Sequence, residues 1–531
     1  MAVTPQTEIR LLKVPFEIDN KNQLTFINKQ AQTNYFTNLP CIEEDNCTYQ
    51  RKDDVIRFPA HIDTLIEYNY VMYQNENYTD KWFYAYITNM RYINDNLTEI
   101  SISTDVFQTW QFDIIYKKSF VEREHTNNDT IGVNTIDENL NVGDVVQEYT
   151  QEDTSLSQYS WLAISSSYNP ISRNQFSGIT IYNNNVFGNK VYLINMNPIS
   201  NLVNFVYFLT ETNIAGHIED IKDVFIVPDA LINVANLDYQ SGTASSGGTY
   251  GFYTFKGGTT PETFNSSIQK RYSYTGFTPK NNKCFVYPYN YLFVSNNIGN
   301  HNIFKYENFN TEQCVFRTEL ALSVGVSGRL VPLNYKNMSQ NDDEALPLAK
   351  YPTAGWSADS YTNWLTQNAI NLPLNIFNGI MSPINKAVSS GNATTGAMNV
   401  SQDIVNQTAN IIGSYYEASL QPNIEGIQST GDVVYSAKKN TFTFRCMRAK
   451  NEYMKIIDDF FSMYGYKTNQ LKIPNVTGRT NWNYVKTLNC NLLGDIPQED
   501  LQEIKNIFDS GVTFWHNATT FLDYSQTNNI V

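Results

Sequence analysis

Alternation is the first regularity along the chain. Ile100, Ile102, Thr104 and Val106 are separated by Ser101, Ser103 and Asp105. A period of two buries one face of a strand. Residues 81–92, just upstream, form a second, aromatic-rich strand pattern. Asn94, Asp95 and Asn96 lie between the two, and such residues tolerate the left-handed backbone of a turn. A β-hairpin is predicted there, and the chain as far as about residue 120 reads as β. From about residue 122 to 282 the signal weakens. Short apolar runs at 191–194 and 224–227 are separated by Asn- and Ser-rich stretches, and 242–258 reads as a long exposed loop or hairpin tip. Strand patterns return at 284–294, 303–306 and 315–326, with a turn at 296–300; Pro288 demotes the first of these to an edge strand or a bulge.

The C-terminal part is the clearest. Phe442, Phe444 and Cys446 alternate as in a strand. Tyr453, Ile456, Ile457, Phe460, Phe461 and Tyr464 then recur at helical spacing, and Gly465 follows where a terminating glycine belongs. A second helix is predicted from Pro497, at its favoured first turn, with Leu501, Ile504 and Phe508 on its apolar face and Gly511 at its end. Val512–Trp515 reads as a short final strand. The fold class is mainly β, in an α+β pattern with two C-terminal helices.

Residues 360–402 break every pattern around them. Lys386 is their single charged residue. The apolar positions are Trp364, Leu365, Ile370, Leu372, Leu374, Ile376, Phe377, Ile380, Met381, Ile384, Val388 and Met398. They give way to small polar and glycine positions such as Ser389, Ser390, Gly391, Ala393, Thr394, Gly396 and Ala397. Charged groups normally keep a long loop in water, so this segment is expected to be buried against something or held ready for burial. One reading is a connector or subunit-interface loop. The other is a membrane-active loop, whose apolar part gains roughly 25 cal/mol for each Å² removed from water. Its small residues would let neighbouring copies pack closely in lipid. Such a loop must stay hidden until needed, because exposed apolar surface aggregates.

Composition narrows the function classes. The 531 residues are 41% hydrophobic and 14% aromatic, ample for a large core, and only 17% charged, below the roughly 25% of an ordinary soluble domain. The net charge is −15. Nucleic-acid binding runs on cations that release phosphate counterions, so an acidic chain argues against a DNA-binding regulator. An acidic wall instead lets DNA slide past without sticking. Six cysteines are too sparse for a disulfide scaffold and are read as buried thiols, and no Cys/His cluster has zinc spacing. Residues 1–10 hold no apolar signal region, and no run approaches the ~20 apolar residues of a membrane-spanning helix. His61, His125, His217, His301 and His516 form no zinc-protease motif, and no phosphate-binding or nucleophile-elbow motif occurs. Glu122 and Glu124 flank Arg123 in an extended run and read as a surface salt-bridge ladder rather than a catalytic pair. No cofactor and no metal is expected.

A family resemblance rests on blocks that keep their order over most of the chain. They include Lys81-Trp82-Phe83-Tyr84-Ala85, Gln108-Thr109-Trp110, Phe120-Val121-Glu122-Arg123-Glu124-His125 and Asn134-Thr135-Ile136-Asp137-Glu138. Further along come Tyr287-Pro288-Tyr289, Gly299-Asn300-His301, Asn378-Gly379-Ile380-Met381, Tyr464-Gly465-Tyr466-Lys467, Gly494-Asp495-Ile496, Asp500-Leu501-Gln502-Glu503-Ile504 and Trp515-His516. With these blocks the chain resembles the distal tail-knob proteins of small short-tailed phages of the picovirus (phi-twenty-nine-like) group; residues 145–280 depart most from the pattern. The resemblance implies a homohexameric tube of β-barrel-like domains at the distal end of the tail. It implies an N-terminal tube domain over 1–125, an outer β-rich insertion over 126–282, and a second tube-forming domain over 283–362 and 432–531. The uncharged loops, 363–431, of six copies would plug the channel, and on release form a pore in the host cytoplasmic membrane through which DNA passes. The implied partners are other copies, the proximal tail (lower collar) protein, that membrane, and passing DNA without specific binding. Two other classes stay open at this point, a tail enzyme that cuts cell-wall polymers and a purely structural adaptor without membrane activity.

Overall fold

Residues 7–50, 54–75, 81–153, 161–169, 180–182, 185–187, 190–195, 204, 208, 211–212, 221–227, 229, 232–243, 249–256, 263–295, 301–321, 327–336, 354–355 and 442–531 are described by a computed structural model. They fold as two units. The first comprises Met1–Asp144, Gly276–Val286 and Lys450–Val531, and the second Val145–Thr275 and Tyr287–Ala449. The four segments implied by the resemblance are a division along the chain, and the two units are a division by spatial contact.

In the first unit, strands β1 (Thr7–Leu12), β3 (Cys41–Gln50), β4 (Val55–Phe58), β7 (Leu97–Thr104), β6 (Phe83–Asn94) and β5 (Tyr70–Asn75) close an antiparallel barrel in that order. Ile9, Leu11, Ile56, Phe58, Val71 and Ile100 fill one of its cores. The predicted hairpin is β6–β7. Asn94 pairs with Leu97, and Asn96 N donates to Asn94 Oδ1 at 2.9 Å. The strand ends at Thr104, two residues earlier than expected. Asp105 accepts from Gln108 N at 3.0 Å and caps a short helix, α3 (Val106–Trp110), so Val106 enters a different core. Helices α1 (Lys29–Thr37), capped by Asn28, and α2 (Ile62–Leu65) were not anticipated from the pattern.

A second sheet of this unit runs β2 (Asn22–Leu24), β28 (Val512–Trp515), β26 (Trp482–Leu488), β9 (Ser119–Glu124), β25 (Tyr466–Lys472). A two-strand ladder of β8 (Ile115–Tyr116) and β27 (Leu492–Leu493) continues it. Both predicted helices form, as α4 (Asn451–Tyr464) and α5 (Gln498–Ser510), with Pro497 at the cap position just before α5. Leu501, Ile504, Ile507 and Phe508 of α5 pack with Val106, Phe107, Val485, Val512 and Phe514. On α4, Met454, Ile457 and Phe461 are buried while Ile456 stays 69% exposed. Gly465 ends α4 at φ 63°, ψ −151°, a region open to glycine alone. A side chain there would fall on the backbone of Glu124 and His125. Gly465→Ala is therefore expected to destabilise this unit by roughly 1–3 kcal/mol or more, read as a lower urea midpoint. An unchanged midpoint would refute the assignment of strain.

The predicted Glu122/Glu124 surface ladder does not form. Val121 and Arg123 pair with the consecutive residues Thr487 and Lys486, so Glu122 is the extra residue of a bulge in β9. The bulge separates the two carboxylates. Glu122 faces out to Lys486 at 3.0 Å, and Glu124 turns inward, fully buried, where it pairs with Lys472 and accepts from Asn475 N at 2.9 Å.

The second unit holds three larger sheets. One runs β10 (Val145–Glu152), β24 (Thr443–Ala449), β19 (Asn290–Ser295), β20 (His301–Phe304); another runs β15 (Ile221–Val227), β11 (Trp161–Ser166), β14 (Lys190–Asn195), β17 (Thr249–Phe255), β16 (Leu237–Thr243). The third runs β18 (Phe264–Gln269), β21 (Gln313–Ala321), β22 (Ser327–Pro332), β23 (Ala354–Gly355); β12 (Thr180–Tyr182) and β13 (Asn185–Phe187) form a separate hairpin. Of the two readings of 242–258, the hairpin is the one that forms, with Leu237–Thr243 and Thr249–Phe255 paired as β16–β17. One expectation is corrected here. Residues 284–294 are a 3₁₀ turn at Asn282–Phe285, the cis Tyr287–Pro288 bond, and a strand only from Asn290. Of the 315–326 run, the described residues as far as Ala321 belong to β21, which pairs with β18 and β22. The class is mainly β with a few helices, as predicted.

Candidate functional site

The apolar positions Trp364, Leu365, Ile370, Leu372, Leu374, Ile376, Phe377, Ile380, Met381, Ile384, Val388 and Met398 all lie outside the described residues. What the structure does describe is how the chain enters and leaves their segment. It enters through β22, which pairs with β23 at Leu330 and Ala354. It returns at Phe442, whose carbonyl accepts from Asp153 N at 2.9 Å, and runs directly into β24. That strand is central, with β10 on one side and β19 on the other.

Both ends sink into one core. Leu330 on the entry side and Phe442, Phe444 and Cys446 on the return side are all buried with Leu292, Val294, Phe304 and Phe316. The rings of Phe444 and Phe316 lie 5.2 Å apart. Each fully buried side chain of this size contributes about 1.5–3 kcal/mol. The described chain on both sides of the segment is thus anchored in one hydrophobic core. The alternation at Phe442, Phe444 and Cys446 was legible in sequence. The entry side was not, since β23 is two residues long and carries no pattern.

The buried titratable groups are arranged to hold the fold. Asp458 of α4 accepts from Lys280 N at 2.8 Å and from Asn281 N and Nδ2 at 2.9 Å, fastening the Gly276–Val286 excursion to the helix. Asp129 accepts from Asn282 N at 3.1 Å and from the Tyr466 hydroxyl, and burial raises its carboxyl above the ordinary range. Glu138 receives Arg123 and Lys283. His125 accepts from Tyr484 N at 2.7 Å and donates to Ser462 O; His516 lies between Thr25 Oγ1 and Asn483 Oδ1. Burial raises the thiols of Cys47, to about 12, and of Cys284, Cys314, Cys446 and Cys490. That is the reverse of what a nucleophilic thiolate needs.

Two further features lie outside these networks. Carboxylate oxygens of Glu8, Glu43 and Asp45 lie within 4.8 Å of one another on the barrel, but Arg10 already supplies the cation, at 2.9 Å from Glu8 and 3.0 Å from Glu43. A cavity of about 570 Å³ in the same unit is lined by Tyr464, Tyr484, Tyr524, Asp19, Lys21 and Glu503. Asp19 is matched there by Lys21 at 2.8 Å. Neither arrangement pairs a nucleophile with a base. Among the described residues no helix is long and apolar enough to cross a membrane.

Comparison with known proteins decides the family. The sequence model of the C-terminal domain of the tail knob protein gp9 of Bacillus phage phi29 matches residues 251–529. The chain belongs to this tail knob family. A second family model, the caudoviral major tail protein N-terminus, matches residues 5–117, the stretch that forms the closed barrel and α3. The tail knob protein gp9 of Bacillus phage B103 is 27% identical, with 99% of this chain and 98% of that protein covered. Its counterpart in Bacillus phage phi29 is 26% identical, with 96% of each covered. Among solved structures, the bacteriophage C1 tail knob protein gp12 shares the fold at a TM-score of 0.58 and 14% identity, over 99% of this chain and 100% of that one. The chain is a tail knob structural protein, a component of the phage tail in the virion.

Proposed function

We propose that this tail knob protein assembles as a homohexameric tube at the distal end of the tail, closed by the uncharged segments of six copies. On infection residues 363–431 leave the channel and form a pore in the host cytoplasmic membrane, through which DNA passes. The single observation that supports this most is the pairing of two properties in one segment. Residues 360–402 contain one charged residue, Lys386, and the chain on either side of 356–441 is anchored in one hydrophobic core. Anchors that stay folded while the segment between them changes surroundings are what a releasable plug requires. The net charge of −15 suits a wall past which DNA slides without binding. Lys386 can reach water from an apolar setting along its flexible stem. The proximal tail (lower collar) protein is the partner above the tube. The work is mechanical, with no catalytic step.

Deleting residues 363–431 tests the reading. The deleted protein is expected to form tubes like the parent in negative-stain images, and to release no dye from liposomes that the parent leaks. Equal leakage by the two proteins would overturn the pore role of this segment.

A further inference from the structure

The first unit holds a cavity whose walls combine aromatic rings with uncompensated negative charge. Its volume is about 570 Å³, within the roughly 300–1,000 Å³ of small-molecule sites. Three tyrosines line it. Tyr464 and Tyr484 meet edge to face, with ring centres 5.2 Å apart and planes at 84°, so the pair forms a corner of two aromatic walls. Tyr524 is fixed against Trp482 and Trp515, at 5.2 Å and 4.9 Å between ring centres. Gly511 keeps the corner open. A side chain there would overlap the Tyr484 hydroxyl, and its φ of 91° suits glycine. From α5, Glu503, Asn506, Ile507 and Ser510 line the cavity, which is the spacing of one helical face.

Charge at the wall is not balanced. Among the described residues that line the cavity, Lys21 is the one cation, and it pairs with Asp19 at 2.8 Å. Two cations close by are also engaged. Lys486, whose stem lies near Gly511, pairs with Glu122 at 3.0 Å. Arg123, which acts on Tyr484, pairs with Glu138 and holds Gly465 O at 2.8 Å. Glu503 is left over. It stands at the exposed rim, yet burial and the like charges of Asp500 and Asp105 raise its carboxyl, and among the described residues no cation opposes them. The last turn of α5 carries no basic residue, and its end lines the cavity through Ser510 and Gly511. A helix C-terminus adds partial negative charge there.

We propose that this cavity binds a small alkylated ammonium ion, held by the rings of Tyr464, Tyr484 and Tyr524 and by the Glu503 carboxylate. Tyrosine rings attract a cation through their negative faces. A bare hard metal ion fits less well, because it takes roughly six to eight oxygen ligands, and with Asp19 engaged Glu503 is the free carboxylate of this wall. A primary ammonium must satisfy all of its N–H donors, which aromatic rings and Ile507 do not do. N-methyl groups need no acceptor. The inference does not rest on the proposed tube, and either can fail without the other.

The test is equilibrium dialysis of the full chain against three probes: choline, its uncharged analogue in which carbon replaces nitrogen, and ethanolamine. The parent should retain choline saturably and hold each of the other two roughly tenfold more weakly. Equal retention of choline and the uncharged analogue would make the cavity a plain apolar hollow and overturn the proposal. Equal retention of ethanolamine would overturn the preference for N-methyl groups. Glu503→Gln and Tyr464→Leu should each weaken choline about fivefold to tenfold, while Tyr464→Phe, which keeps the ring, should stay within about twofold of the parent. Near-ultraviolet circular dichroism on each variant reports the fold. Glu503 stands at the rim, so Glu503→Gln decides even if Tyr464→Leu unfolds. Full retention by a folded Glu503→Gln protein, or none by the folded parent, would overturn the assignment.

Discussion

Replacing Glu138 with glutamine is expected to destabilise the first unit by about 3–5 kcal/mol, the cost of leaving buried charge uncompensated. Its side chain is fully buried and takes three donors, Arg123, Lys283 and the backbone N of Lys467 at 2.9 Å. Lys283 is 2% exposed, and burial pulls its ammonium below the ordinary range, with Glu138 the main group opposing that pull. It also lies 5.4 Å from the centre of the Tyr466 ring. Arg123 holds Gly465 O at 2.8 Å and covers the ring of Phe460 at 4.8 Å, so the carboxylate ties β9 to both ends of the α4–β25 turn. Two cations share one anion here. Removing the anion strands both, whereas Lys283→Met removes a desolvated cation and leaves the Arg123–Glu138 pair. The expected order is thus a large loss for Glu138→Gln and less than about half of it for Lys283→Met. Urea unfolding followed by tryptophan fluorescence, with Trp482 and Trp515 buried in this unit, gives both midpoints. Equal losses would mean that the cluster acts by packing alone.

None of this cluster was visible as a cluster in the sequence. Glu138 stands in one of the blocks that carry the family resemblance, yet its partners come from β9, from the Gly276–Val286 excursion and from β25. Spacing along the chain says nothing about contacts between residues hundreds of positions apart. What could be read was local. The hairpin of β6 and β7, the glycine-ended helices α4 and α5, the final strand and the return strand β24 are each specified by period and by end residues within about fifteen positions. The failures are also local in cause. One extra residue in β9 sent Glu124 inward, and Asp105 turned an apparent strand position into a helix cap. The uncharged segment was legible because it is a compositional anomaly, which no pairing partner has to reveal.

Acid is expected to weaken the first unit well above the ordinary range of carboxylates. Burial, helped by the nearby Arg479 and Arg123 guanidiniums, holds the His125 imidazole down at about 3, and burial holds His516 at about 4. Both are neutral in the fold. In the unfolded chain each titrates near 6.5, so over the interval between the two values the unfolded state binds the extra proton. The stability each histidine brings is therefore present above about pH 6.5 and is lost as the pH falls through the interval, at about 1.4 kcal/mol per pH unit per group. From pH 7 to 5 the two together should remove about 3–4 kcal/mol. The buried Asp105 and Asp129 carboxyls, raised by burial, work in the opposite direction, toward the lower end of the range. The contribution of His125 can be isolated. Its Nδ1 takes the Tyr484 N–H at 2.7 Å, which a protonated ring cannot do, and a glutamine side-chain oxygen can accept the same bond without titrating. His125→Gln should then flatten the stability profile below pH 6.5 by about 1.4 kcal/mol per pH unit, whatever its cost at neutral pH. A variant that keeps the full slope of the parent would show that His125 is not among the groups that set it, and that the acid sensitivity of this unit lies elsewhere.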